Sequence, residues 1–575
     1  MRKFLLLLLL PVLLHGQKKL LYKTPFEKGN GNQAATYSET ITFCQKLDKD
    51  FETVQLKQMG QTDSGEPLHI IIYNPEKEFD FSKLRQSKSI LLINNGIHPG
   101  EPDGIDASMM LFRDLATGKI TPPKNTVIVA IPVYNIGGAL NRNSHSRANQ
   151  NGPESYGFRG NARNYDLNRD FVKCDTKNAR SFTEIFHTIK PDIFIDNHVS
   201  NGADYQYTFT YVATQHQKLG GSLGNYYKNE MQPAILAIMK AKGIDATPYV
   251  NIHDEKPDNG FTQFMDYPRF STGYASMFDV PGTMPETHML KPYADRVAVT
   301  YTYMAETIAY MDAHSTTIKN IRAANRDAFV PGNEYTLQWK TDSARVTLLP
   351  FKGYEAGYKK SGVSAAPRLY YDRARPFEKI IKYYQEYQPT VQVKIPEAYI
   401  VPKAWWNIAE LLKLNNIEMY ELKKDTVIEV QSYHIENFET VDYPYEGHYM
   451  HYNTQVVAAT QKITFHKGDY IVSTRQPGVK YLMETLEPQG SDSFFNWNFF
   501  DSILQQKEYF SAYVFEDTAV QLLRDNPELK KQFEIEKQQN KTLATNPDAQ
   551  LDWIYTHSDY YEKAHRQYPV YRKIK

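Results

Sequence analysis

Within Asn94-Asn95-Gly96-Ile97-His98-Pro99-Gly100-Glu101-Pro102-Asp103 an imidazole and a carboxylate stand three residues apart, in a loop bearing Gly and Pro. Both are good zinc ligands, and a catalytic zinc takes three protein ligands and keeps a fourth position open. His-x-x-Glu alone is a weak signal, because surface loops often contain it. A third candidate, His198, closes Pro191-Asp192-Ile193-Phe194-Ile195-Asp196-Asn197-His198. Taken singly, that histidine is explained as well by a local hydrogen bond at the end of a strand. Both segments follow short apolar runs, so both are expected at the carboxyl edge of a sheet, where open α/β sheets place their sites. Together, His98, Glu101 and His198 make the His₂Glu set of a hydrolytic zinc site. Asp196 either orients a ligand from behind or belongs to the strand.

Between these segments lies Phe158-Arg159-Gly160-Asn161-Ala162-Arg163-Asn164-Tyr165-Asp166-Leu167-Asn168-Arg169-Asp170-Phe171. Its Asp-Leu-Asn-Arg, followed by one residue and an aromatic, resembles the signature of the zinc metallocarboxypeptidases of the carboxypeptidase A type. His-Pro-Gly-Glu resembles their first ligand pair, and Asp196-Asn197-His198 their third-ligand segment. Pro281-Gly282-Thr283-Met284-Pro285-Glu286-Thr287-His288 resembles the segment carrying their catalytic glutamate. Four motifs in the family's order make a strong joint signal across residues 40–312.

The resemblance implies roles. One Zn²⁺ per chain sits on His98, Glu101 and His198. Glu286 is the general base that takes a proton from zinc-activated water, and Arg159 stabilises the oxyanion. Asn168 and Arg169 hold the substrate's terminal carboxylate, for which a planar guanidinium fork is suited. Arg163, Arg147 and Arg142 compete with Arg159 for its role. A covering tyrosine is implied upstream of the base: Tyr274, favoured for its neighbouring Gly273, or Tyr267. The chain departs from the pattern at Asp170, where many relatives have Asn, and at Val199, where a small hydroxyl residue is common; both bear on the shape of the substrate pocket. His145 reads as solvated, and the group His448, Tyr449, His451 and Tyr452 as a half-buried strand rather than a second metal site.

The implied activity is that of a secreted zinc-dependent metallocarboxypeptidase, which hydrolyses the carboxyl-terminal peptide bond of peptides having a free carboxylate. Alternatives are a zinc amidase or peptidase acting on murein peptides or N-acyl amino acids, and an inactive binding protein of the same fold.

The elements that must position these residues alternate from about Asn30 to Asp312. Ser89–Asn94, Asn125–Val133 and Ile193–Asn197 read as buried strands. Ile105–Leu115, Ala179–Ile189 and Val297–Met311 read as helices. This predicts an α/β fold with a mixed, largely parallel sheet sandwiched by helices. After Ala313 the texture turns to aromatic and β-branched runs, Tyr335–Trp339, Val391–Val393, Thr426–Val430 and Tyr470–Ser473, with helices at Ala404–Leu414 and Val520–Gln539. The expected division is a signal peptide over 1–16, a catalytic domain over 17–320 and a β-rich accessory region with a helical carboxyl terminus over 321–575.

Composition excludes more than it selects. The 575 residues carry 66 basic and 66 acidic side chains, so no global field favours nucleic acid. Aromatics at 13% suit β-rich layers. Two cysteines, Cys44 and Cys174, allow at most one disulfide and read as unpaired thiols. Arg2 and Lys3 before the apolar run Phe4–Leu14 read as a secretory signal with cleavage before Gln17. No later run of 18 apolar residues predicts a membrane span, and a secreted or periplasmic location is expected.

Overall fold

A computed structural model describes residues 22–253 and 255–574. The signal-peptide segment expected over 1–16 lies outside the described residues. Among them, no helix is long and apolar enough to cross a membrane.

The core is a nine-stranded sheet. Its strands are β1 (Val54–Gln61), β2 (Pro67–Tyr73), β3 (Ser89–Asn94), β4 (Thr126–Ile131), β5 (Ile193–Asp196), β6 (His198–Ser200), β7 (Phe209–Ala213), β8 (Ala246–Pro248) and, after the two-residue β9 (Phe261–Thr262) of another sheet, β10 (Gly282–His288). The order is β1-β2-β4-β3-β5-β10-β7-β8, with β6 also paired to β10. The four central strands β4, β3, β5 and β10 run parallel, and antiparallel pairs occur toward the edges. The mixed, largely parallel sheet read from the sequence is therefore present. β3 and β4 are buried along their whole length, which is why they read as unbroken Ile, Leu and Val rather than as an alternation.

Successive strand residues feed opposite layers. Ile90, Leu92, Val127, Val129 and Phe194 join one core, while Leu91, Ile93, Ile128, Ala130 and Ile195 join the other. The second core is covered by α1 (Tyr37–Asp50), α2 (Asp103–Ala116) and part of α4 (Tyr293–Asn325), and the first by α3 (Lys177–Ile189). Thr36 closes a capping box at α1, and the Thr176 hydroxyl caps α3, supplying acceptors for amides that a helix start leaves unpaired. α4 kinks at His314 (φ −114°, ψ 15°), where the sequence texture changes.

The carboxyl-terminal region does not stand apart: Tyr335, Tyr481, Phe494 and Trp497 share one core with Phe171, Phe182 and Tyr274. It contains a ribbon of β11 (Glu334–Thr341) with β14 (Tyr387–Lys394) and a long hairpin of β12 (Thr347–Lys360) and β13 (Pro367–Tyr384) that pairs with β9. A six-stranded sheet follows, comprising β15 (Ala398–Val401), β16 (Tyr420–Glu421), β17 (Thr426–Thr440), β18 (His451–Phe465), β19 (Tyr470–Ser473) and β20 (Tyr571–Lys573). Two expectations are corrected. The helix read over Val520–Gln539 is two helices, Ala512–Asp525 and Pro527–Gln539; Pro527 cannot continue the first, and the Asn526 side chain caps the second. His448 lies in a tight turn rather than a strand; β18 begins only at His451. Cys44 and Cys174 are buried free thiols.

Candidate active site

The three proposed ligands leave two adjacent parallel strands and converge. His98 and Glu101 lie in the loop after β3, and His198 starts β6 directly after β5. Their ligand atoms lie within 4.8 Å of one another, and all three side chains are buried. His98 Nδ1 is 3.3 Å from Glu101 Oε1, and His198 Nδ1 is 3.1 Å from Glu101 Oε2. Tetrahedral ligands at zinc bond lengths stand about 3.4 Å apart. Each histidine is held from behind by a carboxylate: His98 Nε2 by Asp166 Oδ1 and His198 Nε2 by Asp196 Oδ2, both at 2.9 Å. This turns both Nδ1 atoms inward, the arrangement that fixes tautomer and ring orientation at metal sites. Asp196 is fixed in turn by the Ser271 hydroxyl at 2.5 Å and by Asn94 Nδ2 at 3.0 Å. His98 Nδ1 is buried without a hydrogen-bond partner among the described residues, as suits an atom reserved for a cation.

The loop is anchored two residues past Glu101. Asp103 accepts from Thr287 Oγ1 at 2.5 Å and pairs with the fully buried Arg296 at 3.0 Å. Gly104 permits the close approach of α2 to the β5–β6 junction: a Cβ there would stand 2.4 Å from Asn197 Cβ.

Strand register brings up the fourth residue. On β10, Glu286 pairs with His198 of β6 on one side and Thr210 of β7 on the other, so Glu286 shares a face with the histidine. It opens into a cavity of about 380 Å³ lined also by His98, Glu101, His198, Arg147, Arg159, Asn168 and Arg169. Burial pushes the Glu286 carboxyl up to about 8; His198, Arg159 and Arg147 oppose the shift and Glu101 adds to it. Glu101 is held well below the usual carboxylate range, because Arg147, His98 and His198 outweigh its burial. Burial alone would lower the His198 imidazole, but Asp196 and Glu101 hold it well above the usual histidine range. The donor set, two imidazoles and a carboxylate, suits a divalent cation.

No family model matches the chain, and no curated protein matches it. Among solved structures, it is similar to a metallo-carboxypeptidase from Burkholderia cenocepacia, 16% identical with a TM-score of 0.36 over 49% of this chain and 70% of that one. A metallo-carboxypeptidase from Pseudomonas aeruginosa, in complex with (2-guanidinoethylmercapto)succinic acid, is 13% identical with a TM-score of 0.36 over 50% and 70%. The carboxypeptidase A from Helicoverpa armigera is 13% identical with a TM-score of 0.35 over 50% and 75%.

The competing arginines separate by position. Arg159 lines the cavity, pairs with Asp166 at 2.9 Å and approaches Glu101 Oε1 at 3.7 Å. Arg147 also lines it and pairs more closely with Glu101 Oε1, at 2.7 Å. Arg142 is consumed by the Ala34 and Ala35 carbonyls and by Ser155, and Arg163 pairs weakly with Asp63 at 3.9 Å. Arg169 packs its guanidinium 4.5 Å over the Phe270 ring, while Asn168 Oδ1 accepts from the Ser271 amide at 3.1 Å. The Asp170 carboxylate serves Lys173 and the Thr176 cap instead of the cavity. Val199 lines the cavity and donates its amide to Glu101 Oε2 at 2.9 Å. His145 is exposed.

Tyr274 is a correction. It is fully buried in the aromatic core, where its hydroxyl donates to Asn415 Oδ1 at 2.6 Å, so it cannot cover a bound substrate. The tyrosine on the cavity wall is Tyr249. No local pattern marks Tyr249 among 42 tyrosines. Asp166 carries a local signal, since Asp-x-x-Arg places it beside Arg169, but its role as the His98 holder depends on a contact across 68 positions.

Proposed function

We propose that this chain is a zinc metallocarboxypeptidase that removes a carboxyl-terminal residue from peptides. The observation that carries the reading is the convergence, in one cavity, of a His₂Glu donor set, an acid on the adjoining strand and an Asn–Arg pair. Within the proposal, residues 17–320 form the catalytic unit and 321–575 an accessory region. The basic and apolar amino-terminal segment supports export.

His98, Glu101 and His198 would hold the metal, which when bound supplies Lewis acidity that acidifies water and polarises a carbonyl. The other roles belong to the chain. Arg169 and Asn168 bind the substrate's terminal carboxylate and set the register of the scissile bond against Glu286. Glu286 accepts the proton from water and returns it to the leaving amine. Arg159, with Asp166 fixing its guanidinium, offers donors to the developing oxyanion. Val212, Phe264, Phe270 and Met284 form an apolar wall that strips water from the departing residue.

Metal analysis of the purified protein tests the donor set, with about one zinc per chain expected. Peptide-library digestion with and without a chelator tests the activity; stepwise loss of carboxyl-terminal residues, abolished by the chelator, is expected. Glu286→Gln should retain zinc and lose turnover. An equally active variant would remove Glu286 from the base role.

A further inference from the structure

A turn of the carboxyl-terminal region contacts the loop that carries Asp166 and Arg169. Tyr445-Glu446-Gly447-His448 forms a two-residue hairpin turn, with the Tyr445 amide donating to the His448 carbonyl at 2.7 Å and the reverse bond at 3.1 Å. Glu446 and Gly447 have φ +49° and +83°, the positive pair of a type I′ turn. Gly and Asn are the usual occupants; a glutamate there carries strain, and such strain concentrates where a site over-determines it. The strained glutamate makes a contact that neither usual occupant could reach in the same way, since its Oε2 accepts the Asp166 amide at 2.8 Å. On either side, the Tyr445 hydroxyl accepts from Arg169 Nε at 3.0 Å, and His448 Nε2 meets Asp175 Oδ2 at 2.8 Å. Gly447 allows the turn to sit this low, since a Cβ would stand 2.7 Å from the Tyr165 hydroxyl. Tyr445 is itself stacked on the buried Trp497, with centroids 6.1 Å apart.

The three contacts fall on one loop, the one carrying Arg159, Asp166, Asn168 and Arg169. Nη1 of Arg169 donates to its neighbour's carbonyl at 2.8 Å, and among the described residues Nη2 has no hydrogen-bond partner. With Nε engaged by Tyr445, the Nη2 edge is what remains for a substrate carboxylate.

We propose that the turn Tyr445–His448 is a positioning element of the active site: Tyr445 aims Arg169, and Glu446 fixes the Asp166 peptide behind His98. This rests on the metallocarboxypeptidase reading and assigns the carboxyl-terminal region a part in it. The test uses the full chain as wild type, Tyr445→Phe, Glu446→Ala and Glu446→Gln. The readouts are zinc affinity by chelator competition, kcat and KM on the best N-blocked dipeptide and its carboxamide, and thermal unfolding. Tyr445→Phe should raise KM about five- to tenfold for the free carboxylate alone, the loss of one bond to a charged donor, with kcat moved less than twofold. Glu446→Ala should weaken zinc about three- to tenfold through Asp166, and Glu446→Gln, which keeps an acceptor, should restore it. A Tyr445→Phe effect that is absent or equal on both substrates overturns the aiming role, and unchanged zinc affinity in Glu446→Ala overturns the fixing role. A wild type that binds no zinc, or does not favour the free carboxylate, overturns the functional reading and the proposal with it. Intact wild-type behaviour with unaltered variants overturns the proposal alone.

Discussion

Replacing Asp196 by Asn tests whether the carboxylates behind the histidines set metal affinity. Asp196 accepts three bonds: from His198 Nε2 at 2.9 Å, Ser271 Oγ at 2.5 Å and Asn94 Nδ2 at 3.0 Å. It is completely buried. An asparagine presents one oxygen and one NH₂ group to this all-donor surround, so at least one donor must face another. The ring of His198 then loses its acceptor altogether, or keeps only a neutral amide oxygen at the expense of Asn94. A hydrogen bond to a charged group is worth about 1.5–3 kcal/mol, and about 1.4 kcal/mol is tenfold in affinity. Zinc should therefore bind about 10- to 100-fold more weakly, in the range found when such holders are removed elsewhere. Ser271→Ala is the internal scale: it deletes one donor to Asp196 but leaves the carboxylate on His198, so the change reaches the metal only indirectly and its loss should stay below about fivefold. Competition against a fluorescent zinc chelator at fixed pH reads both. An Asp196→Asn affinity within twofold of wild type, or a Ser271→Ala loss as large, would refute the holding role.

Other outcomes follow from the same geometry. Arg169→Lys keeps the charge but loses the planar fork, and should cost about 10- to 100-fold in kcat/KM for free-carboxylate substrates, leaving their carboxamides unaffected; kinetics on matched pairs checks it. Tyr274→Phe should leave kcat/KM within twofold and lower unfolding stability by about 1–3 kcal/mol, since Asn415 loses a buried partner. A large activity loss at wild-type stability would reverse that correction. Asp106 is fully buried, and burial raises its carboxyl to about 7 despite bonds from Tyr293 and the Ala35 amide. Its folded value lies above the unfolded one near 4, so the stability it contributes is full below about pH 4 and lost as pH rises through about 7, up to about 4 kcal/mol in all. Asp106→Asn should remove that decline from urea unfolding measured between pH 4.5 and 7.5; an unchanged wild-type slope would contradict it.

Much of the amino-terminal half was legible because its signals are local. β3 is Ser89–Asn94 in sequence and structure alike, since a strand buried on both faces must read as a continuous apolar run. The candidate ligands His98, Glu101 and His198 were legible because each follows such a strand, and strand ends are where chemistry is exposed. Glu286 was identified by motif, but its place beside His198 is a matter of register between β6 and β10. The break at Asn526-Pro527 was also local, and the charged periodicity on either side concealed it.

The sequence by itself determined the donor types, their order and the parallel strands that carry them, because side-chain chemistry and hydrophobic period are properties of neighbours along the chain. Only the tertiary structure decided which tyrosine faces the cavity, that Arg147 and Arg159 both approach Glu101, and that Tyr445 and Glu446 reach back to Arg169 and Asp166. Those contacts join positions as many as 280 residues apart. They arise where separate layers bury their apolar faces together, and no local pattern encodes which surfaces meet.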